Sequence, residues 1–174
     1  IEKNIAILML SAIISDTLLF KSPTCTKEDI KVAEELNKIA NINIQEYGLD
    51  MLKAGTDVSD LSADELIGLD AKEVTIGNYK TIIAQVNTAS IPDMLKRKEE
   101  LEISINKKIE EKGLDLFFLA ITDIINSNSQ VIALGKEAKL VEKSYNVTLE
   151  ENTAFLPGIV SRKKQIIPVL TQNA

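Results

Sequence analysis

The chain has 174 residues, 45% of them apolar and 26% charged, with a net charge of −6, no Trp and an aromatic share of 4%. That suffices for one substantial core, or for one domain plus part of another, while the acidity and the scarcity of stacking rings weigh against nucleic acid or an anionic membrane as partner. The absence of histidine excludes serine-triad, papain-like and phosphohistidine chemistry within these residues.

Residues 2–15 read as a helix that is apolar on nearly every side, hence buried within a domain. Its uncharged stretch is too short to span a membrane. Asp16 and Lys21 follow without a small-residue cleavage pattern, so it does not read as a signal peptide. The chain opens at Ile1 without an initiator methionine, which suggests the later portion of a longer polypeptide. Thr26, with Asp29 three residues on, predicts a capped second helix. A third is predicted over 44–54, ended by Gly55.

The polar stretch "GTDVSDLS" predicts a linker at 55–62 between a helical unit, 1–54, and a second domain, 63–174. Ser62 and Glu65 form a capping box for a short helix. Residues 73–76 and 79–86, split by Gly77-Asn78, predict a β-hairpin. One long helix is expected from Ser90 to about 112, with Pro92 in its first turn. The nearly unbroken apolar run 114–122 predicts a central strand covered on both faces. A turn at "SNSQ", a strand over 131–134, a helix over 136–144 and short β pieces near Val147 and Ala154 come next. After Ser161 a final helix is expected, shortened or kinked by Pro168. The fold class is therefore α/β: a mixed sheet flanked by helices, preceded by the closing helices of another domain.

Three places could carry chemistry. Asp16 ends the apolar helix beside Leu18, Leu19 and Phe20, either as a turn aspartate satisfied by backbone N–H groups or as a metal ligand among apolar neighbours. Arg162, Lys163 and Lys164 form either a solvated basic turn or, behind the cap Ser161, a receptor for a phosphate group. Lys72, in "DAKEVTIG", taken alone is an edge-strand lysine. The single Cys25 cannot form an internal disulfide, which suits a reducing, cytoplasmic setting, and with no histidine to activate it reads as a small packed residue.

Together, "SAIISDTLLFKSPTCT", "EYGLDMLKAGTD", "DAKEVTIG", "IAQVNT", "LDLFFLAITDI" and "VSRKKQIIPVL" resemble the family II, manganese-dependent inorganic pyrophosphatases of the Asp-His-His phosphoesterase superfamily. The likeness runs from end to end of the chain. It implies a two-domain hydrolase of pyrophosphate in which water is activated between two metals, preferably Mn²⁺ with Co²⁺ or Mg²⁺ as substitutes, and which forms a homodimer when complete. By motif match, Asp16 resembles a metal-bridging aspartate, and Lys72, Arg162 and Lys163 resemble substrate-phosphate ligands; Lys164 gives electrostatic support. The remaining metal ligands, every histidine included, are not in these residues. The resemblance is therefore to the carboxyl-terminal part, with the preceding part of the protein as its partner, and predicts that this part alone is inactive. An exopolyphosphatase or other phosphoesterase of the same superfamily, or a noncatalytic phosphate-binding module, are the alternatives.

Overall fold

Helices α1 (Lys3–Thr17), α2 (Lys27–Ala40) and α3 (Ile44–Ala54) form the first of two units in the computed structural model, which describes all 174 residues. This unit is Ile1–Asp57 and the second is Val58–Ala174. In α1, Ala6, Leu10 and Ile14 recur every fourth residue and are fully buried with Ala33, Leu36 and Ala40 of α2. Within this unit one stripe of α1 is left uncovered: Ile5, Leu8 and Met9 are 48%, 65% and 44% exposed. A 3.6-residue period turns one stripe toward α2 and α3, and no third element of this unit covers the opposite stripe. The Thr26 capping box forms as the spacing predicts: Thr26 Oγ1 accepts from the Asp29 N–H while the Asp29 carboxylate accepts from the Thr26 N–H.

The second unit is a five-stranded sheet in the order β1 (Ala71–Ile76), β2 (Tyr79–Thr88), β3 (Leu116–Asp123), β4 (Asn128–Leu134) and β5 (Thr153–Pro157). Only β2 and β3 run parallel; every other neighbouring pair is antiparallel. The mixed sheet follows from the connections. Two residues, Gly77 and Asn78, join β1 to β2 as a hairpin, whereas the parallel step needs a long crossover. That crossover carries α5 (Ile91–Leu95) and α6 (Lys98–Lys112), and α4 (Ala63–Gly68), opened by the Ser62–Glu65 box, packs on the same face. The opposite face is covered by α7 (Lys139–Tyr145), a π-helical turn (Arg162–Ile166) and α8 (Ile167–Asn173). All eight residues of β3 are buried. Phe117, Leu119 and Ile121 face the first helical layer; Leu116, Phe118 and Ala120 face the second. The unbroken apolar run thus has the cause assigned to it, a strand with no solvated side.

Several boundaries differ from expectation. The helix predicted over 90–112 is two helices, because Arg97 leaves the helical region (φ −94°, ψ 5°) and its guanidinium reaches back to the carbonyls of Val58 and Leu61. The turn placed at "SNSQ" lies earlier, at 124–127, since the Asp123 carboxylate accepts the N–H groups of Ile125 and Asn126 and the Asn126 amide. That aspartate is an Asx-turn signal, and it frees residues 128–130 to extend β4. No strand forms near Val147. The final helix begins as a π-helical turn, and Pro168 falls in the first turn of α8, where its missing N–H costs least.

Asp115 joins α6 to β3. Its carboxylate accepts the Lys136 ammonium at 2.7 Å and the Lys80 N–H at 2.6 Å. The Lys136 hydrogen bond first, and the Lys80 N–H second, hold its carboxyl below the ordinary 3.8. A carboxyl depressed on folding contributes stability that is present above its unfolded pKa and lost as the pH falls through the folded value. Lys136→Ala is therefore expected to raise the Asp115 pKa in an NMR titration. It should also shrink the loss of urea resistance between pH 5 and pH 3; an unmoved Asp115 titration would count against this assignment.

Candidate functional site

Lys72 and the basic turn meet around Asp70 in the second unit. Lys72 pairs with Ile83 in the β1–β2 ladder and shares the strand parity of Val74 and Ile76, so it projects on the sheet face that the π-helical turn and α8 cover. Arg162 opens that turn. Its Nη2 lies 2.9 Å from Asp70 Oδ1 and its Nη1 donates to the Asp70 carbonyl, two residues before Lys72. That carbonyl also accepts the N–H of Gln85 in β2. The guanidinium side chain is 20% exposed. Lys163 and Lys164 are exposed on the same turn. Neither of them, nor Lys72, is in an ion pair, so three ammonium groups stand without counter-charge from the chain.

A column of polar side chains in otherwise apolar strands fixes the segment from which these cations project. Gln85 Nε2 donates to Thr122 Oγ1 and to the Val160 carbonyl, both at 3.0 Å. Thr122 and Ser129 hydroxyls bond each other at 2.9 Å, and Ser129 donates to the Ile159 carbonyl at 2.7 Å. Gln165 closes the loop from the other side: its Oε1 accepts the N–H groups of Val160 and Ser161, and its Nε2 donates to the Gly158 carbonyl. Ser161 Oγ accepts the Lys164 N–H, the cap that the sequence suggests, and the Ser161 carbonyl accepts from both Gln165 and Ile166. The loop thus lies by the carboxyl ends of the parallel pair β2 and β3, the end of such sheets where ligands are habitually bound. Asp70, Gln85, Thr122, Ser129 and Gln165 were not legible as site residues in the sequence. The signal that could have found the middle three is a lone polar residue in a strand that is otherwise buried apolar sequence.

Asp16 belongs to the first unit. Among these residues it is exposed at the end of α1, and the adjacent leucines turn inward. Leu18, Leu19 and Phe20 all take left-handed backbone (φ 47°, 55° and 66°), a conformation that costs a non-glycine residue about 1–2 kcal/mol. Burial of Leu18 and Leu19 and a hydrogen bond from the Phe20 N–H to Thr17 Oγ1 offset that strain. Thr24 donates to the Asp16 carbonyl at 3.4 Å, and its hydroxyl bonds Ser22. The "SDTLLF" and "SPT" stretches therefore fold onto each other. No backbone N–H bonds the Asp16 carboxylate, so the locally satisfied turn aspartate does not form. Both oxygens remain open to a cation. One carboxylate is not a metal centre, however, and nowhere do three or more Asp, Glu, Cys or His side chains gather. The residues present do not by themselves hold a divalent pair.

The family model of the DHHA2 domain matches residues 49–173. The chain belongs to the DHHA2 domain family. Similarity continues beyond the domain: over 171 residues, 98% of this chain, it is 61% identical to the manganese-dependent inorganic pyrophosphatase of Bacillus subtilis, of which it covers 55%. A Methanococcus jannaschii crystal structure assigned to family II inorganic pyrophosphatases superposes with a TM-score of 0.88 at 39% identity, covering 99% of this chain and 56% of that one. The chain thus spans about half the length of the relatives it matches. The DHHA2 sheet, the loop at 158–161 and the basic turn all lie within the matched residues; Asp16 lies outside the domain but inside the wider similarity. No helix is long and apolar enough to cross a membrane.

Proposed function

We propose that this chain is the carboxyl-terminal part of a manganese-dependent inorganic pyrophosphatase, and that its DHHA2 domain binds the phosphate groups of pyrophosphate. Kinship at 61% identity over nearly the whole chain carries the reading of the activity. The arrangement at Asp70 supports the reading of the site: a held guanidinium ties the basic turn, with Lys163 and Lys164, to the start of the strand that carries Lys72, and none of the three lysines is in an ion pair. Lys72, Arg162 and Lys163 would contact phosphate oxygens, with Lys164 adding positive potential. A forked guanidinium and point-charge ammoniums are the side chains that bind and neutralise phosphate best.

Residues 1–54 then end a metal-binding domain, 55–62 link it and 63–174 bind substrate. Asp16 would give one carboxylate to manganese, with cobalt or magnesium as substitutes, and its unbonded oxygens suit that role. Ligands from outside these residues would have to complete the centre. The protein would act in the cytoplasm and, when complete, as a homodimer.

The test is phosphate release from pyrophosphate with manganese, first from the 174-residue chain and then from the chain joined to the preceding half of its Bacillus subtilis relative. No turnover is expected from the first and full turnover from the second. Hydrolysis of long polyphosphate with negligible pyrophosphate turnover would replace the reading by an exopolyphosphatase.

A further inference from the structure

We propose that Asp70 is a positioning residue of the anion site, holding the Arg162 guanidinium in place before substrate arrives; this rests on reading Arg162 as a phosphate ligand. Arg162 is a long, flexible side chain at the start of an irregular π-helical turn. Left free, it would lose rotamer freedom on binding an anion, and that loss would weaken affinity. The structure removes the freedom beforehand. Asp70 grips two points of the guanidinium at once, Oδ1 at 2.9 Å from Nη2 and its own carbonyl on Nη1. A guanidinium has five N–H donors, so this grip leaves donors for an incoming phosphate.

Asp70 is itself held. Its carbonyl accepts the Gln85 N–H, and Gln85 in turn binds the Val160 carbonyl just ahead of the basic turn. The Arg162–Asp70 contact thus links two segments 92 residues apart and sets the fork beside the strand that carries Lys72. An aspartate near an anion site also repels the anion. Two features decide which effect wins. The Asp70 side chain is 58% exposed and paired with the guanidinium, so water weakens its repulsion of an anion and the cation it touches offsets much of its charge. The restraint on Arg162 acts at contact distance, and the half of it made by the Asp70 backbone carbonyl involves no acceptor charge to be screened. Positioning therefore outweighs repulsion.

The experiment titrates pyrophosphate, in metal-free buffer, into the 174-residue chain by calorimetry, in four forms: unchanged, Asp70→Ala, Arg162→Ala and the double variant. Asp70→Ala is expected to weaken binding about 3–10-fold, and Asp70→Asn, whose amide oxygen can still accept from the guanidinium, to recover most of it. In the Arg162→Ala background, Asp70→Ala should change nothing further, because its effect passes through Arg162. A merely structural role would give the same loss in both backgrounds and overturn the proposal. Tighter binding by Asp70→Ala would overturn it too, since repulsion would then dominate. If Arg162→Ala itself leaves binding unchanged, or the unchanged chain shows no saturable binding, the phosphate-site reading fails and the inference falls with it. If Arg162→Ala weakens binding but Asp70→Ala does not, the inference alone fails. Should Asp70→Ala not fold, Asp70→Ser, too short to reach the guanidinium, replaces it in the same cycle.

Discussion

Arg162→Ala, made in the protein completed by its preceding half, is expected to lower kcat/KM for pyrophosphate by about 10²–10³-fold. That is the scale on which a single donor aimed at developing negative charge contributes to catalysis. The chain supplies one guanidinium and three ammonium groups at this end of the sheet, and only the guanidinium is fixed, by two contacts to Asp70. A fixed forked donor needs no reorganisation when charge builds on the phosphoryl oxygens, so its removal should fall on kcat as well as on KM. Arg162→Lys keeps the charge without the fork and should recover only a minor part. Folding should be little affected. The substitution removes a partly exposed ion pair, a class that contributes about 0–1 kcal/mol, so urea midpoints should nearly coincide. Unchanged steady-state kinetics in Arg162→Ala would remove the basic turn from the substrate site.

The second large effect concerns stability. Gly135, which follows β4, has φ of +115°, a region that L side chains rarely enter. A Cβ there would come within 2.4 Å of the Asp115 carbonyl oxygen, 3.0 Å of its carbon and 3.1 Å of Leu116 Cα. All three are backbone atoms, and β3, which begins at Leu116, is buried along its whole length, so nothing can move aside cheaply. The same Asp115 is bound by Lys136, one residue beyond Gly135, and its carbonyl accepts the Glu137 N–H. The exit of β4 thus wraps tightly over the entry of β3. Gly135→Ala is expected to cost on the order of 3–5 kcal/mol, adding a backbone clash to conformational strain. Gly158 is the internal control: its φ is +72°, but a Cβ there would meet nothing within 4 Å. Gly158→Ala should therefore cost only about 1–2 kcal/mol, the strain alone. Equal unfolding free energies for the two variants in urea would show that the close approach to Asp115 is not what makes Gly135 necessary.

Much of this protein is written in short-range signals. The Thr26 and Ser62 caps, the Gly77-Asn78 hairpin and the doubly buried β3 were legible because each depends on residues within a few positions of one another, or on apolar periodicity. So were the cations of the candidate site, Lys72, Arg162, Lys163 and Lys164, and the acid Asp16, as residue types in recognisable motifs. What escaped depends on distant partners. The break at Arg97 goes with hydrogen bonds to carbonyls 36 and 39 positions earlier.

Most of the elements, the mixed α/β class and the chemistry of the cations could be read from the residues in order, because propensity, capping and charge are properties of nearby residues. Folding of the whole sheet was needed before Asp70 could hold Arg162 and before Gln85, Thr122 and Ser129 could fix the loop ahead of it. Those outcomes require hydrogen bonds between residues tens of positions apart, and the geometry of such bonds exists only once the sheet has assembled.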